Sequence, residues 1–170
     1  TFDIDGIDTA HKLAILSSIA FGCEINFESV HVEGIRHISP LDIQFAKDLG
    51  YRIKLLGKAK RTKIGTQQRV HPCMVPISTP IAHVEGVYNA VVTEGSFVGQ
   101  TMYEGRGAGE GPTATAIVAD IIDIALARNT NLFLLPTDKL EKMHVAPMSS
   151  YRGSYYARFM VIDKTGVFAT

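Results

Sequence analysis

The order of helix and strand patterns along the chain limits its possible folds most strongly. Apolar residues recur at helical spacing over 9–21, and Pro40, preceded by the cap residue Ser39, opens a second helical pattern. From residue 51 to about 106 the pattern alternates as in strands, and a third helix is predicted over 112–128. Runs of helices and strands predict an α+β fold, with helices on one face of a mostly antiparallel sheet.

Residues that start or end helices and form turns refine this prediction. Asp8 is predicted to cap the first helix, and Gly22 to end it. Gly50 is predicted to close the second helix, and Glu94-Gly95 to form the turn between two strands. Three prolines place the segment 67–78 at a sheet edge or a strand end, since proline cannot donate a backbone hydrogen bond; they are Pro72, Pro76 and Pro80.

Charge and cysteine content exclude several classes of function. The 17 basic and 17 acidic residues cancel and form no basic stripe, so a nucleic-acid partner is not expected. No apolar run is long enough for a membrane span, and no membrane partner is expected. The two cysteines form no CxxC motif, which favours a reducing, cytoplasmic location. The six histidines lack metal-site spacing, so no metal is predicted.

Asp8 and Lys12, in the stretch DGIDTAHK, stand four residues apart and therefore share one face of the first helix. The simplest interpretation is a helix cap with a surface ion pair, which stabilises a protein only slightly. Two further acids, Asp3 and Asp5, cluster just ahead of the helix, and the helix dipole opposes their effect on the ammonium group. Such opposing effects can adapt a lysine to proton transfer, so a catalytic pair is the alternative interpretation.

The stretch GRGAGEGPTATAIVADI, over 105–121, combines alternate glycines with the start of a helix. Glycines permit close backbone approach, and a helix N-terminus attracts anions, so contact with a ligand is one interpretation. A dinucleotide-binding loop is poorly supported, because Glu110 stands where the third glycine of that fingerprint belongs. The other interpretation is a flexible turn that leads into a helix.

The stretch DIDGIDTAHK resembles the homoserine dehydrogenase family pattern of Asp, aliphatic residue, any residue, Gly, any residue, Asp, three residues and Lys. Asp3, Ile4, Gly6, Asp8 and Lys12 meet every fixed position. The segments KLAILSSIAFG, ISPLDIQFAKDLGYRIKLLG and GRGAGEGPTATAIVADI also resemble the family, so the likeness extends from residue 1 to about residue 128. The tail YYARFMVIDKTGVFA resembles the opening strand, turn and helix of an amino-acid-sensing ACT domain.

The resemblance implies an oxidoreductase that interconverts L-homoserine and L-aspartate 4-semialdehyde in threonine and methionine biosynthesis. It implies an NAD(P) cofactor and assigns proton transfer to Lys12. It implies substrate binding by Asp8 and Asp3, and cofactor contact by Gly109 with Gly107 beside it. These roles suit the chemistry, because carboxylates attract the substrate's ammonium group while a lysine can protonate the carbonyl oxygen that hydride transfer reduces.

The resemblance also implies an incomplete assembly. No glycine-rich nucleotide-binding unit precedes Asp3, and the chain opens without Met and ends inside an apolar pattern, so we expect a piece of a longer protein that is inactive alone. The expected division is a catalytic and dimerisation domain over 1–128, a linker over 129–154 and a truncated ACT-like start over 155–170. A homodimer formed through strands near 51–98 is expected. The segment 105–128 would normally pack against the missing domain, so its apolar face is expected to be exposed, disordered or paired with a neighbour.

Two alternatives remain open from the sequence. One is a non-enzymatic dimerisation or amino-acid-binding regulatory module, in which the acids form only a cap cluster. The other is a small nicotinamide-binding protein built on GRGAGEG, which would bind NAD(P) without any additional domain.

Overall fold

Helix α1 (Ile7–Phe21) packs against the main sheet and carries the most specific motif. The computed structural model describes residues 2–128, 133–162 and 164. Gly6, in the left-handed conformation, is the N-cap of α1, and Gly22 ends the helix by donating its N–H to the Ser18 carbonyl at 2.9 Å. The Gly22 prediction is confirmed. The Asp8 cap is wrong, because the chain turns at Gly6 and Asp8 already lies within the first helical turn.

Helix α2 (Pro40–Asp48) has the N-terminus that its sequence predicts. The Ser39 hydroxyl accepts the Asp42 N–H at 3.2 Å, and the Asp42 carboxylate accepts the Ser39 N–H at 2.9 Å. This reciprocal capping box satisfies two backbone donors that the helix itself leaves free. Gly50, with φ of 80°, follows the C-terminal end of the helix as predicted.

The main sheet has the strand order β1-β3-β2, with β1 (His31–Val32), β2 (Tyr51–Thr62) and β3 (Gly65–Pro76). Strands β2 and β3 form a long antiparallel hairpin, and β1 pairs parallel to β3 only at Arg69 and Val70. Pro72 therefore lies where β3 has a neighbouring strand on one side only, which agrees with the edge position that its missing N–H predicts.

Strands β4 (Tyr88–Gly95) and β5 (Gly99–Arg106) form a second antiparallel hairpin. The predicted turn at Glu94-Gly95 is wrong by two residues, because both still pair with β5 and the loop is 96–98. Gly99 adopts the left-handed conformation with φ of 72°, so the backbone reverses there. Helix α3 (Glu110–Ala125) follows and buries none of its residues.

Two apolar clusters lie on opposite faces of the β2–β3 hairpin, because alternate strand residues point to opposite sides. The first cluster lies beneath α1 and consists of Ala10, Leu13, Ala14, Val30 and Val70. The second joins Cys73 and Val75 to Ala82 of a short 3-10 helix, Pro80–His83. The α+β class and the mostly antiparallel pairing are confirmed, and that short 3-10 helix covers the face opposite α1.

Residues 155–162 contain no regular secondary structure, whereas the sequence pattern predicts a strand there. A strand requires a hydrogen-bonded neighbour, and this segment instead directs Tyr156 and Arg158 to a side chain of α2. The remainder of the predicted ACT-like start, at 163 and 165–170, lies outside the described residues. No helix within 2–128, 133–162 and 164 has the length and apolar character needed to cross a membrane.

Candidate functional site

Asp8 and Lys12 lie on the exposed side of α1 and contact each other. The Lys12 Nζ lies 2.6 Å from the Asp8 Oδ2, a charge-assisted hydrogen bond between residues one helical turn apart. The Lys12 side chain is 64% exposed and that of Asp8 is 35% exposed, so both groups remain accessible to a small molecule. The structure thus brings together the two residues that the motif places on one face.

The first turns of α1 lie directly on the sheet. A side chain at Gly57 of β2 would come within 3.2 Å of the Thr9 methyl group and 3.4 Å of Leu13. The absence of a side chain at Gly57 therefore lets the helix approach β2 closely. Ala10 and Leu13 are buried on this side, which fixes Lys12 on the opposite side of the helix.

Gly6, the central glycine of the motif, has two structural reasons to lack a side chain. Its φ of 79° lies in the left-handed region, which strains other residues. A Cβ there would also lie 3.1 Å from a methyl group of Val70 and 3.3 Å from one of Val32. Gly6 thus lets the chain turn tightly against the sheet immediately before Asp8.

The acidic turn ahead of α1 is held against residues 33–36. The Ile35 N–H donates to the Ile4 carbonyl at 2.9 Å, and Arg36 makes a two-pronged ion pair with Asp5. The hydrogen bond from Arg36 holds the pKa of the Asp5 carboxyl below its ordinary value. Sequence analysis missed this pair, because its members are 31 positions apart and no local spacing signals them.

Asp3, the other predicted substrate-binding acid, has an exposed side chain in the same turn. Its backbone carbonyl accepts the Gly6 N–H at 3.0 Å, so its position is coupled to the glycine that starts α1. Within the part of the chain that the structure describes, its carboxylate makes no side-chain hydrogen bond. Asp3 is therefore near the pair in sequence and available to a ligand, but it does not contact Lys12.

An aromatic stack borders the same helix. The His11 ring lies between Phe2 and Phe27, with ring centroids 5.9 Å and 4.0 Å away. His11 directly precedes Lys12, so the stack ties the N-terminal turn and the 3-10 helix Phe27–Ser29 to the part of α1 that carries the ion pair. No sequence spacing predicts this contact.

Gly107 and Gly109, the predicted cofactor-binding residues, lie between β5 and α3. The Gly107 N–H donates to the Val87 carbonyl at 2.9 Å, and a side chain at Gly107 would collide with Asn89. Gly109 has φ of 124° and ψ of 157°, a conformation essentially restricted to glycine. A Cβ there would meet nothing closer than Pro112 at 3.5 Å, so its backbone is open to approach.

A cavity of about 80 Å³ lies at the other end of α1 and does not include Asp8 or Lys12. Residues after α1, the start of β3 and the segment around residue 143 form its walls; these are Cys23, Glu24, Ile25, Asn26, Ser29, Thr66, Gln68, Lys142, Met143 and Val145. The ion pair therefore lies on an open surface of this chain rather than in that cavity.

The two cysteines, Cys23 and Cys73, are buried and are packing groups rather than nucleophiles. Arg69 Nε donates to His71 Nε2 at 3.1 Å, so the His71 Nδ1 carries the proton and donates to the Pro72 carbonyl at 2.9 Å. The His71 lone pair is thus occupied and cannot activate Cys73. Burial raises the pKa of both Cys73 and Cys23, which opposes thiolate formation.

Comparisons with known proteins agree on one family. A family model described as homoserine dehydrogenase matches residues 1–122. The homoserine dehydrogenase of Pseudomonas aeruginosa is 44% identical over 176 residues, covering 99% of this chain and 40% of that protein. The enzyme of Helicobacter pylori is 45% identical over 168 residues, covering 99% and 39%. This chain therefore spans about two fifths of the length of these curated relatives.

Solved structures agree as well. A homoserine dehydrogenase from Thiobacillus denitrificans superposes with a TM-score of 0.81 and 45% identity, over 89% of this chain and 36% of that one. A hyperthermophilic archaeal homoserine dehydrogenase in complex with NADPH matches with a TM-score of 0.61 and 29% identity, over 77% of this chain and 36% of that one.

Proposed function

This chain belongs to the homoserine dehydrogenase family, and on that premise we propose that it carries the substrate-binding and proton-transfer part of such an enzyme. The reaction is the interconversion of L-homoserine and L-aspartate 4-semialdehyde with a nicotinamide cofactor, in threonine and methionine biosynthesis. The contact of 2.6 Å between Asp8 and Lys12 on an accessible helix face is the observation that carries this proposal.

Lys12 is proposed to move the proton. In the reducing direction its ammonium group donates a proton to the aldehyde oxygen while the carbon accepts hydride. In the oxidising direction its neutral amine takes the proton from the homoserine hydroxyl group. The nicotinamide supplies or removes the hydride. The exposed position of Lys12 at the start of α1 supports this role, because its Nζ can reach a bound molecule without rearrangement of the core.

Asp8 and Asp3 are proposed to bind the substrate. Asp8 orients the Lys12 Nζ through their hydrogen bond, and it retains a second oxygen for the substrate. The exposed carboxylate of Asp3 can pair with the substrate's ammonium group, whereas Asp5 is already paired with Arg36. This division of the three acids gives the acidic cluster a function beyond helix capping.

In the loop between β5 and α3, the space beside Gly109 is better suited to a nicotinamide nucleotide than the space beside Gly107. At Gly109 the open backbone and the glycine-only conformation leave room for a ring or ribose, whereas the Asn89 side chain fills the space beside Gly107. Glu110, in the first turn of α3, would repel a phosphate, so Gly109 suits the nicotinamide end of the cofactor. The rest of that cofactor would contact a separate nucleotide-binding domain.

The proposed organisation is a catalytic domain over 1–128, a linker over 129–154 and an ACT-like start over 155–170. A homodimer through the sheet is also proposed. Two features support a second copy there. The outer edge of β2 has no neighbouring strand in the described residues, and the loop of the β4–β5 hairpin exposes Phe97 and Val98.

The proposal is tested in a protein that joins this chain to an upstream nucleotide-binding domain. Homoserine-dependent nicotinamide reduction is measured for the wild type, for Lys12→Ala and for Lys47→Ala, an exposed lysine in the last turn of α2. Loss of a general acid–base group predicts a kcat about 10²–10⁴-fold lower for Lys12→Ala and no change for Lys47→Ala. Near-normal kcat in Lys12→Ala would reject the proton-transfer role of Lys12. Absence of homoserine-dependent nicotinamide reduction in the wild type would instead favour a non-enzymatic binding module.

A further inference from the structure

Residues 140–158, here called the strap, cross the body of the protein and attach to it at successive points. The Glu141 N–H donates to the Gly22 carbonyl at 2.9 Å, just beyond the end of α1. The Ala146 N–H then donates to the Thr66 carbonyl at 2.9 Å, and the Thr66 N–H donates back to the His144 carbonyl at 2.8 Å. The strap therefore runs from the end of α1 past the start of β3.

Side chains continue the attachment further along the strap. Gln67 donates to the Ser150 hydroxyl group at 2.9 Å, and the Arg69 guanidinium lies 3.8 Å from the centre of the Tyr151 ring. Both Gln67 and Arg69 belong to β3, so the strap follows this strand before it reaches α2.

The strap ends at Asp42, in the first turn of α2. The Arg158 Nε donates to the Asp42 Oδ1 at 2.7 Å, and the Tyr156 hydroxyl group donates to the same oxygen at 3.0 Å. Asp42 is only 5% exposed, and its other oxygen serves the capping box with Ser39. A buried carboxylate with a guanidinium partner is a specific anchor, because it is costly to leave such a charge unpaired.

The strap otherwise has few of the contacts that hold a protein core together. Ala146 is its one buried residue, and the strap and the body enclose the cavity of about 80 Å³ described above. The Gln68 Oε1 is buried at this boundary without a hydrogen-bond partner in the described residues. An attachment made of a few directional contacts around a cavity can open locally while the apolar clusters stay packed.

We propose that the strap docks and undocks as a unit, with the Asp42–Arg158 contact as its clasp. The docked strap fixes the position of the chain beyond residue 158 relative to α2, which packs on β2, the strand that also supports α1. Release of the clasp frees that part of the chain without unfolding the β2–β3 hairpin. The strap is thus a conformational link between helices α1 and α2, which both pack on β2, and the residues that follow Arg158, and the proposal does not depend on the enzymatic assignment.

Hydrogen exchange followed by mass spectrometry or NMR tests this proposal on the 170-residue chain. The variants are Asp42→Asn, Arg158→Gln and the conservative Arg158→Lys, and the control Arg36→Gln breaks a different surface ion pair. Arg158→Gln leaves the capping box of α2 intact, so it remains informative if Asp42→Asn folds poorly.

The expected result is that the Glu141 and Ala146 amides, and the Thr66 amide that donates to the strap, exchange at least about tenfold faster in Arg158→Gln, while the other amides of β2 and β3 keep the wild-type rate. Arg158→Lys should restore part of the protection, and Arg36→Gln should leave it unchanged. Unchanged exchange at Glu141 and Ala146 would show that Asp42 is not the clasp. Equal acceleration throughout β2 and β3 would show that the strap does not open separately from the core.

Discussion

At the residue scale, the motif combines two kinds of position. Asp8 and Lys12 are the positions with a proposed chemical role, and both lie on the exposed side of α1 and contact each other. Gly6 is required for steric reasons. Its backbone is in the left-handed conformation, and a side chain there would be too close to Val70. The spacing of the charged pair is readable from sequence, whereas the steric reason for Gly6 depends on a strand more than sixty residues away.

Gly6→Ala should therefore destabilise the protein more than a glycine-to-alanine change at a left-handed position that has no close neighbours. Gly50→Ala is a matched control, because Gly50 has φ of 80° against 79° for Gly6 but no atom within 4 Å of its would-be Cβ. The left-handed conformation should cost each variant about 1–2 kcal/mol. Gly6→Ala should lose additional stability through its contacts with Val70 and Val32. Equal free energies of unfolding by urea for the two variants would contradict the packing argument.

At the element scale, the sequence predicts best where local chemistry dominates. The Ser39–Pro40 start of α2 is fully local, and the structure has the capping box there. The Glu94-Gly95 turn is misplaced, because the pairing of β4 with β5 continues to Gly95 and the chain reverses beyond it. The segment 155–162 alternates like a strand, but its side chains bind α2, and no sequence pattern within that segment indicates such a partner.

The strap should also respond to pH in a defined direction. The hydrogen bond from Arg158, followed by those from Ser39, lowers the pKa of Asp42 well below its ordinary value. Because the pKa of Asp42 is lower in the folded protein than in the unfolded chain, its ionised carboxylate stabilises the docked strap fully at any pH above the unfolded pKa. This stabilisation is lost as the pH falls through the folded pKa. Docking should therefore persist at pH 4 and weaken only in stronger acid.

An NMR titration of the Asp42 carboxyl carbon measures this directly. In the wild type the signal should remain that of the ionised carboxylate down to at least about pH 3, because the folded pKa is lowered. In Arg158→Gln the same signal should titrate at higher pH. A titration that is identical in the two proteins would mean that Arg158 does not hold the carboxylate.

At the scale of the whole molecule, the main sheet with α1 and α2 forms a packed body, whereas α3 lies exposed along its length. The α+β class was predictable, because the order of helical and alternating patterns determines it. The composition of the core was less predictable from sequence, since Val70 reaches the cluster beneath α1 only because of the register in which β2 pairs with β3. The apolar side chains of α3 are exposed, which is one of the outcomes expected for this segment; they include Ile117, Val118, Ile121, Ile122 and Ile124.

The exposed face of α3 should make this chain bind hydrophobic dyes or self-associate. An apolar surface of this kind normally marks an interaction site. The double variant Ile121→Lys/Ile124→Lys should lower anilinonaphthalene sulfonate fluorescence several-fold and reduce association in light scattering. Ile43→Lys, a change of one exposed apolar residue on α2, should have little effect on the dye binding that α3 produces. Equal dye binding by both variants would show that the dye-binding surface is not the exposed face of α3.

The structure of the full-length protein with bound L-homoserine would test the central claim most directly. With Asp8 and Lys12 acting on one substrate, the Lys12 Nζ should lie within about 3.2 Å of the substrate hydroxyl oxygen. The substrate's ammonium group should lie equally close to the carboxylate of Asp3 or Asp8. A substrate bound with its hydroxyl oxygen beyond hydrogen-bond reach of Lys12, directly or through one water molecule, would contradict the account.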